Sequence, residues 1–185
     1  MEPGELAAVL REHAYLEGDF VLRSGRRSSY YLDKYRFETR PDLLGPLGAR
    51  IAEAVREFEP HAERLAGPEL GAVALAASAS LASGLPFLIV RKEAKGYGTG
   101  NRLEGVFGDG ELVCLVEDVV TSGGAAVEAV HALREAGLRV RTAICVVDRE
   151  EGGASALARA GVRLRPLFLA SDFVSEPKTA AKPHG

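Results

Sequence analysis

Leu112-Val-Cys-Leu-Val116 runs straight into Glu117-Asp118, Val119-Val120-Thr121-Ser122-Gly123-Gly124 and Ala125-Ala-Val127, and this stretch decides how the fold is read. A buried aliphatic strand meets two adjacent carboxylates, then a short loop of hydroxyls and glycines, then a helix. The unpaired N–H groups of such a loop and helix N-terminus cradle a phosphate, and glycine lets the backbone approach it closely. Two carboxylates at a strand end can hold vicinal hydroxyls, as acidic residues do with ribose in nucleotide folds. Together they describe a pocket for a sugar bearing a phosphate. Taken singly, the glycines could make a plain tight turn and the acids a solvated strand end. The spacing fits neither a Walker A loop, which needs a lysine after its last glycine, nor the dinucleotide fingerprint.

Working outward, periodicity predicts an amphipathic helix over 4–13 and an aromatic-rich hairpin over 20–37 that turns at Ser24-Gly25. Thr39-Arg-Pro41-Asp42 starts a helix whose buried stripe is Leu43, Leu47, Ile51, Val55 and Phe58. A stretch punctuated by Pro and Gly follows, then a candidate strand over 72–75 and a candidate helix over 77–83. Strands are expected over 87–90, 112–116, 143–147 and 163–169. Residues 92–105 read as a loop, 125–136 as a helix closed by Gly137, and 154–160 as a short helix. Strands alternating with helices imply an α/β fold, a parallel sheet covered on both faces, with ligands beyond the carboxyl ends of the strands.

At 185 residues, 46% apolar and 26% charged, the chain is expected to form one domain with a substantial core. A net charge of −3 gives no electrostatic case for nucleic acid or an anionic membrane. No apolar run approaches the roughly 18 residues of a membrane span, and the acidic start Met1-Glu-Pro-Gly-Glu5 lacks the pattern of a signal peptide. A cytoplasmic protein is expected. Cys114 and Cys145 sit in aliphatic strand patterns as buried thiols, and four scattered histidines form no ligand cluster.

The segment from Arg91-Lys92 through Lys95-Gly96-Tyr97 to Asn101-Arg102 leaves a strand and becomes glycine-rich and basic. Such a segment suits a lid closing over an anionic leaving group, or it is a solvated surface loop. Arg149 follows a strand and can hold a planar carboxylate bidentately, or pair with Glu150 or Glu151. Tyr30 and Tyr31 can stack on a planar base or fill the space under the hairpin.

The 112–127 stretch resembles the phosphoribosyl-diphosphate motif of type I phosphoribosyltransferases. Arg91-Lys-Glu-Ala-Lys-Gly96 with Gly98 resembles the mobile loop of the orotate phosphoribosyltransferases. Gly18-Asp-Phe-Val-Leu-Arg23-Ser-Gly25 with Ser29-Tyr-Tyr31-Leu-Asp33 is similar to their N-terminal base-binding segment. Val146-Val-Asp148-Arg149-Glu-Glu-Gly152-Gly153 is similar to the segment carrying their orotate-contacting arginine. The resemblance spans about residues 18 to 153 in family order. It implies the type I phosphoribosyltransferase fold over 1–185, with a small N-terminal hood to about residue 40, a core over about 41–174 and a loose tail over 175–185.

By the same resemblance, Arg91, Lys92, Lys95 and Tyr97 contact diphosphate, Glu117 and Asp118 hold ribose, and Val119, Val120, Thr121, Ser122, Gly123, Gly124 and Ala125 complete the phosphoribosyl pocket. Lys95 and Asp118 are its catalytic residues. Arg23, Tyr30, Tyr31, Thr121 and Arg149 are its orotate-binding residues. Mg²⁺ is the implied cofactor, carried mainly by phosphoribosyl diphosphate rather than by protein ligands, and the implied assembly is a homodimer sharing lid residues. Tyr97 stands where the family has a histidine, Glu117 where many members have Asp, and Leu70 near a lysine of some bacterial members. A phosphoribosyltransferase for a purine or another pyrimidine is the alternative among enzymes, though a neutral base offers Arg149 no carboxylate. A regulatory sensor of phosphoribosyl diphosphate is the alternative from another class; it would be expected to add a helix-turn-helix or a basic face.

Overall fold

The computed structural model describes residues 1–21, 25, 27–93 and 102–173. α1 (Pro3–Ala14) has proline in its first turn, where no intrahelical N–H is required. It turns Leu6, Leu10 and Ala14 inward at four-residue spacing. β1 (Tyr15–Val21) and β2 (Arg27–Leu32) pair antiparallel, with a register irregularity between Glu17 and Phe20. The hairpin thus begins earlier than the sequence indicates and stops short of residue 37. Tyr35–Glu38 form a helical turn, α2, instead. In a strand Tyr35 and Phe37 would share a face; the helical turn buries Phe37 fully and leaves Tyr35 outside.

α3 (Pro41–Phe58) carries the expected stripe, with Leu43, Leu47, Ile51 and Val55 buried and Phe58 at its edge under the Arg165 guanidinium. The main sheet comprises β3 (Arg64–Pro68), β4 (Phe87–Val90), β5 (Leu103–Glu104), β6 (Leu112–Val120), β7 (Arg139–Asp148) and β8 (Arg163–Leu169). Its order is β5-β4-β3-β6-β7-β8, parallel throughout except for the antiparallel edge strand β5. Helices α4 (Gly71–Ser83), α5 (Gly124–Glu135) and α6 (Gly153–Arg159) connect these strands.

Alternation along the strands splits the core in two. Leu65, Cys114, Val116, Ile144 and Val146 pack with α1, α3 and α4 on one face. Ala66, Val113, Leu115 and Ala143 pack with α5 and α6 on the other. The expected parallel sheet covered on both faces is what the chain forms. Glu59, buried just after α3, ties that helix to β7 by accepting bonds from Arg141 at 2.6 Å and the Thr142 hydroxyl at 3.0 Å.

Residues 72–75, expected as a strand, belong to α4, and the strand is Arg64–Pro68 instead. Alanine favours helix, and α4 carries apolar residues on its exposed side as well as its buried one, the exposed Leu81 among them, so it shows no amphipathic stripe. β3 was hidden by its Gly67-Pro68 end. Glycine is needed at 67 because a Cβ there would lie 2.7 Å from the Ala72 carbonyl oxygen, against α4. β5 falls inside the segment expected to be loop, and β6 and β7 run further than their aliphatic centres. α5 closes as expected: Gly137 takes φ 87°, its N–H bonds to Arg134 O, and Leu138 N–H bonds to Leu133 O.

Among the described residues no helix is long and apolar enough to cross a membrane. The neighbours of β3 and β6 mark the point where strand order reverses, which is where sheets of this kind bind ligands.

Candidate active site

A cavity of about 510 Å³ opens at that reversal, between the ends of β3 and β6. Its walls are Lys34 and Tyr35, the Pro68–Gly71 turn, Lys92, and the run from Glu117 to Ala126. The sequence places Glu117 and Asp118 after the strand; they lie within it, since β6 continues to Val120. Both are buried.

One wall is made of backbone. Gly123 caps α5 in the left-handed conformation, φ 82°, and no side chain bonds to the helix start. Val127 N–H bonds to Gly123 O at 2.9 Å. The N–H groups of Gly124, Ala125 and Ala126 precede that bond in the first turn, where a helix offers no acceptor of its own. These three residues line the cavity at the positive end of the helix dipole. Glycine is required at 123 twice over: by its φ, and because a Cβ would meet Gly153 Cα and O at 3.0 Å.

The other wall is made of side chains. Lys34 Nζ donates to Asp118 Oδ2 at 2.6 Å, and the backbone N–H of Val119 donates to Asp118 Oδ1. Glu38 is buried beside this pair, and its Oε1 lacks a hydrogen-bond partner, as does Glu117 Oε1. Gly71 makes room for the cluster: a Cβ there would lie 1.9 Å from Asp118 Oδ2, 2.7 Å from Glu38 Oε1 and 2.8 Å from Lys34 Nζ. Burial, then the charge of Asp118, pushes the Glu117 carboxyl up to about 8. The same two causes raise Glu38 to about 8, against the pull of Lys34. Burial opposes the charge on Lys34, but Asp118 and then Glu38 outweigh it, and its pKa rises. At neutral pH the cluster therefore holds protons as well as charge. Among the described residues no group of three or more His, Cys, Asp or Glu is placed to hold a metal ion.

Lys92 reaches the cavity, its N–H bonded to Glu69 Oε1 at 2.7 Å. Arg91 does not line it. Arg91 lines an adjoining cavity of about 220 Å³ that shares Pro68, Glu69, Lys92 and Ala125 with the first, and its NH1 lies 3.7 Å from Glu104 Oε1.

Arg149, just after β7, meets Tyr30 of β2. The guanidinium lies 4.7 Å from the Tyr30 ring centre, and the other partner of that ring is Tyr15, stacked at 5.1 Å. Arg149 is buried rather than on the surface, with Nε 3.1 Å from Glu151 Oε1 but in no aligned hydrogen bond. Its backbone N–H bonds to Val120 O at 2.8 Å, which fixes it to the cavity wall. Tyr31 leans on Phe20 and remains 42% exposed. Neither tyrosine nor Arg149 lines the main cavity. Arg23, Lys95, Tyr97 and the tail from 175 lie outside the described residues.

Sequence reasoning missed Lys34, Glu38, Glu69 and Gly71. Lys34 adjoins the quoted hairpin motif, but nothing local announces that it meets Asp118, 84 residues away.

No protein-family model matches the chain. It is 50% identical over 171 residues to the orotate phosphoribosyltransferase of Methanocella arvoryzae, covering 92% of this chain and 96% of that protein. The crystal structure of the Aeropyrum pernix orotate phosphoribosyltransferase matches with a TM-score of 0.81 and 36% identity, over 91% of this chain and 95% of that one. The Mycobacterium tuberculosis enzyme in complex with phosphoribosyl diphosphate matches with a TM-score of 0.78 and 30% identity, over 92% and 98%. With kinship running nearly end to end in both sequence and fold, the chain belongs to the orotate phosphoribosyltransferase family.

Proposed function

We propose that the chain transfers ribosyl-5-phosphate from phosphoribosyl diphosphate to N1 of orotate, giving orotidine 5′-monophosphate and diphosphate for pyrimidine synthesis. The observation that carries this is the joining, in one cavity, of an uncapped helix N-terminus with the Glu117-Asp118 pair. The relatives' names and the tuberculosis enzyme's complex support the same assignment.

In this proposal the N–H groups of the 121–125 loop bind the 5′-phosphate, and Asp118 and Glu117 take the ribose hydroxyls. Breaking the bond from C1 to diphosphate leaves a sugar with oxocarbenium character, which the buried Asp118 carboxylate stabilises as it forms. Mg²⁺ would be carried by the diphosphate of the substrate, where it would supply neutralisation of that charge. Lys92 holds the diphosphate, and Arg91 joins it from the adjoining cavity. Lys95 and Tyr97, assigned by resemblance, close over it. Arg149 binds the orotate carboxylate, with Tyr30 fixing its plane and Tyr31 and Arg23 bordering the base. The protein acts as a homodimer that shares its lid. Mixing inactive Lys95→Ala protein with inactive Asp118→Ala protein would restore activity if the lid acts across subunits; complete failure, with subunit exchange shown separately, would place the lysine in its own site.

Diphosphate release tests the proposed reaction. It should require orotate, phosphoribosyl diphosphate and Mg²⁺ together. Release at the same rate without orotate would overturn the transfer.

A further inference from the structure

Three parts of the phosphoribosyl donor have to fit one cavity. With the 5′-phosphate at the 121–125 loop and the ribose at Glu117 and Asp118, the remaining wall runs from Lys34 and Tyr35 along the Pro68–Gly71 turn to Lys92. That wall would receive the diphosphate, the most highly charged part of the donor. The acids Glu69, Glu117 and Asp118 line the same cavity, and Lys34 and Lys92 are the cations among its described lining residues.

Lys34 is held there by main chain on both sides. Asp33 N–H bonds to Ala14 O at 2.8 Å, and Phe37 N–H and Glu38 N–H each bond to Lys34 O at 3.0 Å. Phe37, fully buried, anchors the turn that follows. The ammonium has three donors; one is used on Asp118 at 2.6 Å, and the side chain keeps 33% exposure. Gly71 leaves open the space in which Lys34, Asp118 and Glu38 meet. A lysine placed only to neutralise a buried acid would need neither that exposure nor a seat in the cavity wall.

We propose, resting on the site assignment above, that Lys34 is a further substrate-contacting residue: its ammonium bridges Asp118 and a diphosphate oxygen of the donor. The N-terminal segment thereby helps bind the donor as well as covering the base. Glu38, behind the pair, is a positioning residue that keeps Lys34 and Asp118 together.

Inorganic diphosphate with Mg²⁺, titrated calorimetrically, separates this role from support of Asp118, because diphosphate has no ribose hydroxyls for Asp118 to hold. Loss of one charge-assisted bond should weaken its binding about tenfold or more in Lys34→Met. Lys34→Arg should recover most of that loss, and Asp118→Asn should change binding by less than about threefold. If Lys34→Met does not fold, Lys34→Gln, uncharged but able to donate to Asp118, carries the same test. Diphosphate binding within about twofold of wild type in the uncharged variant would overturn the proposal. Failure of wild-type protein to bind either diphosphate or phosphoribosyl diphosphate would instead remove the site assignment on which the proposal rests.

Discussion

The loop from Thr121 to Ala125 is a wall of backbone that the chain geometry fixes, whereas the wall across the cavity is assembled from the side chains of Lys34, Glu117 and Asp118, with Glu38 behind them. The first depends on a positive φ at Gly123 and a close approach to Gly153. The second depends on burial, shared protons and a lysine brought from the far side of the sequence. A backbone cradle keeps its polarity at any pH. A buried carboxylate cluster changes with pH and with what binds it, and in the proposed reaction this wall faces the carbon where the bond breaks.

Changing Gly123→Ala should have the largest effect. A left-handed alanine costs about 1–2 kcal/mol, and its Cβ would press on Gly153 at 3.0 Å. We expect kcat/KM for phosphoribosyl diphosphate to fall about 100-fold, equivalent to about 2.7 kcal/mol. Gly84→Ala is the matched control: φ is 78° with no atom within 4 Å of the new Cβ, at the end of α4. It should lower Tm and leave kcat/KM within about twofold. Equal losses of activity in both would mean that strain, not the cradle, is being measured.

Arg149→Ala is next. Removing a charge-assisted contact of about 1.5–3 kcal/mol should raise the KM for orotate roughly 10- to 100-fold and leave that for phosphoribosyl diphosphate nearly unchanged. An unchanged orotate constant would assign Arg149 wholly to Glu151 and Tyr30.

The contrast between the two walls also explains what the sequence discloses. The cradle is contiguous, so the run from Leu112 to Val127 announces strand, acids, loop and helix in order. The aliphatic runs of β4, β6, β7 and β8 and the stripe of α3 are equally local. β3 is not, because Gly67 and Pro68 imitate a turn, and the glycine is required by a helix that only the fold brings near. Lys34 and Glu38 lie in an ordinary-looking polar stretch. Their chemistry exists only once α2 buries Phe37 and turns them toward Asp118.

Glu38→Gln should have the smallest effect, and its sign is fixed. The Glu38 carboxyl titrates near 8 in the fold against an ordinary 4.5, so the folded state holds the extra proton between these values. Its contribution to stability is full below about pH 4.5 and is lost as pH rises toward 8. Glutamine cannot ionise, so the variant should lose stability less steeply over this window, with the remaining slope due to Glu117. Parallel curves of Tm against pH for the two proteins would show that Glu38 is already ionised across the window.

If the site joins a phosphoribosyl group to an anionic pyrimidine, as proposed, the enzyme's choice among bases must show it. With phosphoribosyl diphosphate and Mg²⁺ held constant, orotate, uracil, hypoxanthine and adenine are followed in parallel by absorbance. Orotate should be consumed at least about tenfold faster than any neutral base, as the loss of one charge-assisted pair would dictate; equal or faster consumption of a neutral base would overturn the assignment of orotate as the acceptor.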